Sequence, residues 1–371
     1  MNNPIPRLLD LAIAIQQIPA PTFHETERAR FVRSRFAEEG LQDVEIDSTG
    51  NVYARLGSTK PRLDASAQLK PLVVSAHLDT VFPTSIDLSV RREQERILAP
   101  GIGDNSLGVA GLFGLLWTLR ERDLSLPGDL WLVGDVCEEG LGNLSGMRAV
   151  IERFGSSALA YIVVEGMALG QIYLRGLGVQ RYRISVHTAG GHSWIDYGQP
   201  SAVHELTALV TRITALELPR QPRTSLNVGI ISGGSSVNTI AAEAMLELDL
   251  RSESADGLKN LAGQVEQIVQ SLQRPGVRAE MENIGQRPSG ELPENHRLVK
   301  LSQDCLRAVG IEAHLNIGST DSNLPLNLGF PSITIGLTTG GKAHSIHEYI
   351  QVAPLEKGME QLVRLVSHAW D

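Results

Sequence analysis

The chain has 371 residues, 42% of them hydrophobic and 20% charged, which at roughly 150 residues per domain allows two domains with full cores. Its 42 acidic against 33 basic residues leave a formal charge of −9, which argues against nucleic acid or an anionic membrane surface as a partner. Two cysteines, Cys137 and Cys305, are too few for a disulfide framework and lack thiolate-zinc spacing, so a reducing, cytoplasmic setting is expected.

Near the N-terminus no basic segment precedes an apolar core, and the first apolar run, 11–15, is too short for an export signal. Apolar residues then recur at helical spacing over 5–18 and 25–36. The second stretch opens on Thr22-Phe23-His24-Glu25, which reads as a capping box, and closes at Gly40. Short strands are expected at 43–47 and 51–56, a polar loop at 57–70, and at 71–76 a strand that is apolar on both faces. The same continuous apolar character returns at 130–136 and 159–164, with helices between at 106–122 and 144–154. The longest apolar run, 108–117, falls well below the ~20 residues needed to cross a bilayer. Such alternation predicts an α/β fold, a mostly parallel sheet sandwiched by helices.

From about Gly178 the order becomes strand (179–187), helix (201–216), strand (225–232), strand (244–250), helix (255–272) and strand (277–282). This is the βαββαβ order of a ferredoxin-like module. After about Pro293 the earlier alternation resumes with a helix at 297–309, strands at 313–317 and 332–337, and a closing helix at 354–370. The expected organisation is a larger domain in two parts, 1–177 and 291–371, with a smaller domain, 178–290, inserted between them.

In α/β sheets functional groups collect beyond the carboxyl ends of the strands. The first buried strand runs into His77-Leu78-Asp79, whose alternating geometry points His77 and Asp79 the same way, so the carboxylate can fix the imidazole. Taken alone, the pair also fits an ordinary exposed loop. A glycine-rich turn delivers Asp104 to a helix start, where an N-cap is the simplest reading. Its glycine spacing fits neither phosphate-binding pattern. The third strand ends at Cys137-Glu138-Glu139, two adjacent carboxylates that call for something positive nearby, and the fourth at Glu165. The segment Lys342 to Glu348 adds His344 and His347. Together His77, Asp104, Glu139, Glu165 and His344 form a mixed imidazole and carboxylate set suited to two zinc ions bridged by one carboxylate, which leaves Glu138 as a base.

With these motifs the chain resembles the dizinc metallohydrolase family of peptidase T, carboxypeptidase G, acetylornithine deacetylase and succinyl-diaminopimelate desuccinylase. The matching segments are His77-Leu78-Asp79, Gly103-Asp104-Asn105, Glu138-Glu139-Gly140, Glu165-Gly166, Gly191-His192-Ser193, Gly318-Ser319-Thr320-Asp321 and His344-Ser345-Ile346-His347-Glu348, in the family's order across nearly the whole chain. The resemblance implies that Asp104 bridges two divalent ions, zinc first with cobalt or manganese as alternatives. It implies that His77 and Glu165 complete one site, Glu139 and His344 the other. His344 is preferred to His347 because the family's ligand usually stands four residues before the glutamate that is Glu348 here.

The same resemblance makes Asp79 the residue that orients His77 and Glu138 the general base, and it implies a cis Asp104–Asn105 peptide. It makes the inserted domain a lid and dimerisation domain, with His192 reaching the substrate carbonyl oxygen and Asn238, Arg251 and Asp321 near the substrate. An ion pair on the surface is an equal expectation for Arg251. Asn238-Thr239-Ile240-Ala241 departs from the family's Asn-x-Ile-Pro, and Gly318-Ser319-Thr320-Asp321 from its Gly-Gly-Thr-Asp. The implied activity is hydrolysis of an amide bond in a small peptide, with an N-acyl-amino-acid deacylase as the alternative. Glu165, where peptidases needing a free amino terminus commonly carry aspartate, leans towards carboxypeptidases and deacylases. A binding protein that had lost activity would lack a ligand or base, and none is lacking here.

Overall fold

The structure is a computed structural model that describes residues 4–58 and 69–371. Most of the polar loop expected at 57–70 lies outside the described residues. The chain divides into two compact units, Met1–Gly176 with Gly290–Asp371, and Leu177–Ser289.

The first unit is built on a nine-stranded sheet. Its centre runs Leu130–Asp135, Leu72–His77, Ala160–Glu165, Ser332–Gly336, all mutually parallel. These strands are the continuous apolar runs of the sequence, and they are buried from end to end apart from Glu165, which is half-buried. Alternation sorts their side chains. Val73, Trp131, Val133, Tyr161 and Val163 pack on one face with helix Ser145–Phe154. Leu72, Val74, Leu130, Leu132, Ile162 and Val164 pack on the other, with helices Ile5–Gln16, Thr26–Glu38, Leu107–Glu121, Arg297–Ala308 and Leu355–Ser367. Helix Leu107–Glu121 is apolar on every side as far as Leu119, Thr118 apart, and can therefore be buried at every residue of that stretch. No helix among the described residues is long and apolar enough to cross a membrane.

Antiparallel strands flank this parallel centre. Val52–Leu56 and Gln42–Ile46 extend one side; Gln171–Gly176 and Gly290–Glu291 extend the other, and His314–Gly318 also pairs with Gln171–Gly176. Sequence reasoning passes over Gln171–Gly176. Its residues alternate half-buried and buried, and Leu177 joins it directly to the next strand, so the two merge into one run. It also passes over a small four-stranded sheet of Arg91–Arg92, Arg96–Leu98, Gly340–Gly341 and Tyr349–Gln351, pieces of two or three residues with no readable period.

The second unit has strands Gly178–Thr188, Thr224–Gly233, Glu243–Ser252 and Val277–Arg287 with helices Ala202–Thr214 and Ala255–Gln270. The strands form one antiparallel sheet in the order Thr224–Gly233, Glu243–Ser252, Gly178–Thr188, Val277–Arg287. Leu206, Leu209 and Ile213 of one helix and Leu258, Leu261 and Val265 of the other share a core with Ile184, Leu246 and Leu248 of the sheet. This is the ferredoxin-like arrangement that the βαββαβ order predicts.

Candidate metal centre

Parallel strands bring their carboxyl ends to one edge; two of the central four end in donors, and a third runs on into a loop that carries them. His77 is the last residue of Leu72–His77 and Glu165 the last of Ala160–Glu165. Glu138 and Glu139 follow Leu130–Asp135 through Cys137, which takes a positive φ of 60°. Asp104 lies in the turn Ile102–Ser106 that leads into helix Leu107–Glu121, and its peptide bond to Asn105 is cis. His344 arrives on the segment between Gly340–Gly341 and Tyr349–Gln351.

These side chains converge. His77 Nε2 lies 3.2 Å from Asp104 Oδ1 and 3.7 Å from Glu165 Oε2. His344 Nε2 lies 3.1 Å from Asp104 Oδ2 and 3.0 Å from Glu139 Oε1. Each oxygen of Asp104 therefore faces a different imidazole and carboxylate, and the ligand atoms of each trio lie within 4.8 Å of one another. His347 is exposed and belongs to neither trio.

The electrostatics call for positive charge. Burial opposes a charge on His77, yet Glu165, Asp104 and Asp79 together hold its pKa well above the ordinary imidazole value. Hydrogen bonding to Asp104 and Glu139 lifts His344 to about 10. Burial raises Glu165, reinforced by Asp104 and Glu139 against the opposing pull of His77. Burial also works on Asp104, but the two imidazoles outweigh it and keep that carboxyl below its usual range. Three carboxylates and two imidazoles with no sulfur donor fit two divalent ions that share one carboxylate, and a cation would take the place of each imidazole proton.

Around this set, the backbone is pinned by further carboxylates. Asp79, fully buried, accepts from Glu138 N at 3.0 Å, Glu139 N at 2.8 Å and Thr22 Oγ1 at 2.9 Å. His77 Nδ1 sits 3.0 Å from the Asp79 carbonyl and 3.5 Å from its carboxylate. Glu348, also fully buried, accepts from Gly103 N at 2.7 Å, Asp104 N at 2.9 Å and Gly101 N at 3.2 Å. Burial and the Asp104 charge push Glu348 up to about 7 against the pull of those three N–H groups. Asn105 bridges the Asp104 turn to the strand of Glu165, donating to Val164 O and accepting from Gly166 N, both at 2.9 Å.

One expectation from the sequence is corrected by the structure. Thr22 and Glu25 form no capping box: helix Thr26–Glu38 begins after Glu25 with no side-chain cap, because Thr22 bonds to Asp79 and Glu25 accepts from Cys137 N. Asp321 is fully buried, with both carboxyl oxygens closed to solvent. It pairs with the equally buried Asp135, and neither carboxyl has another hydrogen-bond partner among the described residues. Two carboxyls can bond each other only through a proton. Burial and the Asp135 charge accordingly hold Asp321 well above the ordinary carboxyl value.

In the second unit His192 is exposed on a short ladder, Gly191–His192 with Thr239–Ile240. Its Nδ1 accepts from Trp194 N at 3.2 Å and Ile195 N at 3.3 Å, which puts the ring proton on Nε2. Asn238 is tied to the same turn, its carbonyl accepting from Ser193 N, while Arg251 is half-exposed in a 2.7 Å ion pair with Asp249.

The family model for peptidase family M20/M25/M40 matches residues 73–368. The chain belongs to this family. Its members are hydrolases of peptide and amide bonds, and so is this chain. Among curated relatives, the succinyl-diaminopimelate desuccinylase of Corynebacterium glutamicum is 24% identical over 90% of this chain and 89% of its own length. Among solved structures, a tripeptidase from Staphylococcus aureus superposes with a TM-score of 0.80 at 21% identity, covering 98% of both chains. The YXEP protein of Bacillus subtilis, a dinuclear metal binding peptidase from the M20 family, does so with a TM-score of 0.68 at 16% identity over 98% of this chain and 97% of its own. At these identities the two structures establish a shared fold.

Proposed function

We propose that the chain hydrolyses the peptide bond of a small peptide with two divalent ions, zinc first, held by His77, Asp104, Glu139, Glu165 and His344. The observation that carries this is Asp104, whose two carboxylate oxygens face the two separate donor pairs. When bound, the ions supply Lewis acidity towards the scissile carbonyl and lower the pKa of water. Glu138, buried beside Glu139 and held by its own N–H on Asp79, takes the proton from the attacking water and delivers it to the leaving amine. Asp79 keeps the His77 ring in orientation.

A second reading, an N-acyl-amino-acid deacylase, draws support from Glu165 and from the desuccinylase relative. The inserted unit is assigned as lid and dimerisation domain. Thr224–Gly233 is an edge strand whose Ile230 and Ile231 are more than half exposed, which suits pairing with a second copy.

Metal analysis, chelation and reconstitution against di- and tripeptides, N-acetyl and N-succinyl amino acids test the scheme. The expected result is about two ions per chain and turnover that is lost on chelation and restored by metal. Glu138→Gln should lower kcat by at least ~10²-fold with metal content unchanged. Turnover indifferent to chelator overturns the proposal.

A further inference from the structure

Three consecutive peptide N–H groups carry the loop that presents Glu138, and buried carboxylates accept all three. Glu138 N and Glu139 N donate to Asp79, as above, and Cys137 N donates to Glu25 Oε1 at 3.1 Å. The same Glu25 oxygen accepts from Phe23 N at 3.0 Å and from Cys137 Sγ at 3.5 Å. Glu25 is only 6% exposed and stands just before helix Thr26–Glu38, so one carboxylate ties the N-terminal segment to the peptide beside the base.

Two carboxylates so deeply buried need a counter-charge. Arg28, one turn into that helix and 2% exposed, provides it. Its guanidinium donates to Ile18 O at 3.0 Å and 2.6 Å and to Leu78 O at 2.7 Å, and Leu78 lies between His77 and Asp79. The cation thus braces the His77 turn by hydrogen bonds and faces Asp79 and Glu25 through space. Burial lowers its pKa to about 10, and those two charges oppose the fall, so it stays protonated at neutral pH.

We propose that Glu25 is a positioning residue for Glu138, acting through the Cys137 peptide, with buried Arg28 as the counter-ion of the Glu25 and Asp79 pair. The proposal rests on Glu138 being the base. Its content is geometric: the carboxylate at 25 works by reaching Cys137 N, so reach outranks charge. Glutamine keeps the length and an oxygen acceptor while losing the charge; aspartate keeps the charge and is one methylene short.

The test compares Glu25→Gln, Glu25→Asp and Glu25→Ala in the metal-loaded full chain. The measurements are kcat and KM on the best peptide of the panel above, metal content, and the rate at which a thiol reagent labels Cys137. Labelling needs no substrate and reports the same anchor, and Cys305, buried elsewhere, serves as the internal control. Glu25→Gln should stay within about threefold of the parent in kcat, whereas Glu25→Asp and Glu25→Ala should fall by ~10-fold to 10²-fold, the cost of displacing a catalytic group by ångström-scale amounts. KM and metal content should hold, and Cys137 alone should label faster in the two weak variants. Aspartate matching or exceeding glutamine in kcat overturns the proposal, as does unchanged Cys137 labelling in both Asp and Ala variants. If Glu138→Gln remains active, the base assignment itself has failed. That result is independent of the labelling.

Discussion

Glu348 offers the sharpest test of how the centre is held. Its side chain is fully buried, and its two oxygens accept three peptide N–H groups from the turn that carries Asp104. Removing it in Glu348→Ala leaves three donors in the interior, and at ~1–3 kcal/mol for each unsatisfied buried group the loss should be at least about 3 kcal/mol. That is a large fraction of a typical stability of ~5–15 kcal/mol. Glu348→Gln differs in a way the geometry specifies. Oε1 takes both short bonds, from Gly103 and Asp104, and an amide oxygen can replace it. The amide nitrogen then faces Gly101 N, the longest of the three bonds, so the cost should be only about 1–2 kcal/mol. Because the bonds position the bridging carboxylate, metal affinity should fall ~10–100-fold in the alanine variant, as when a ligand's supporting partner is removed. Urea unfolding of the metal-free chain and competitive metal titration measure the two effects. An alanine variant within 1 kcal/mol of the parent and equal to it in metal affinity would refute the assigned role, using the ~1 kcal/mol lower bound for one orphaned donor.

Other expectations follow from the same geometry. A Cβ on Gly166 would lie 2.3 Å from Gly103 O and 2.8 Å from Leu107 Cβ, so Gly166→Ala should cost ~1–3 kcal/mol and push the Asp104 turn away from Glu165, seen as weakened metal binding by titration. Retained affinity would show that the turn yields without moving Asp104. The raised Asp321 keeps a proton in the folded chain that the unfolded chain releases above about pH 4, so its contribution to stability is full below that pH and declines as pH rises. Asp321→Asn keeps a donor towards Asp135 and removes this decline. It should gain on the parent between pH 5 and 8 in denaturant titrations by ~1.4 kcal/mol per unit of the raised pKa expressed in that range; parallel profiles would contradict the shared proton. Ile231→Lys on the exposed edge strand should convert the proposed dimer to monomers by sedimentation, and a parent that is itself monomeric ends that assignment.

The parts of this molecule that were legible in the sequence share a cause. Strands buried on both faces must be apolar at every position, so Leu72–His77, Leu130–Asp135 and Ala160–Glu165 stand out as unbroken runs, and whatever follows them stands at the sheet's carboxyl edge. That is why His77, Glu138, Glu139 and Glu165 could be picked out as candidates before any distance was known. What holds them there obeys a different constraint, the satisfaction of buried N–H groups, and its partners lie far along the chain. Glu348 meets Gly103 N across 245 residues and Glu25 meets Cys137 N across 112. The Thr22 to Glu25 pattern shows the consequence. A capping box is a local preference worth ~1 kcal/mol, and it yields when the same two side chains can instead satisfy a buried carboxylate and a buried peptide N–H beside the base. Asp135 and Asp321 follow the same logic in reverse. Each ends or follows a strand-like run, as a metal ligand would, but each finds its partner in the other, so a carboxylate at a strand's end is a candidate ligand only when its neighbours leave it one to bind.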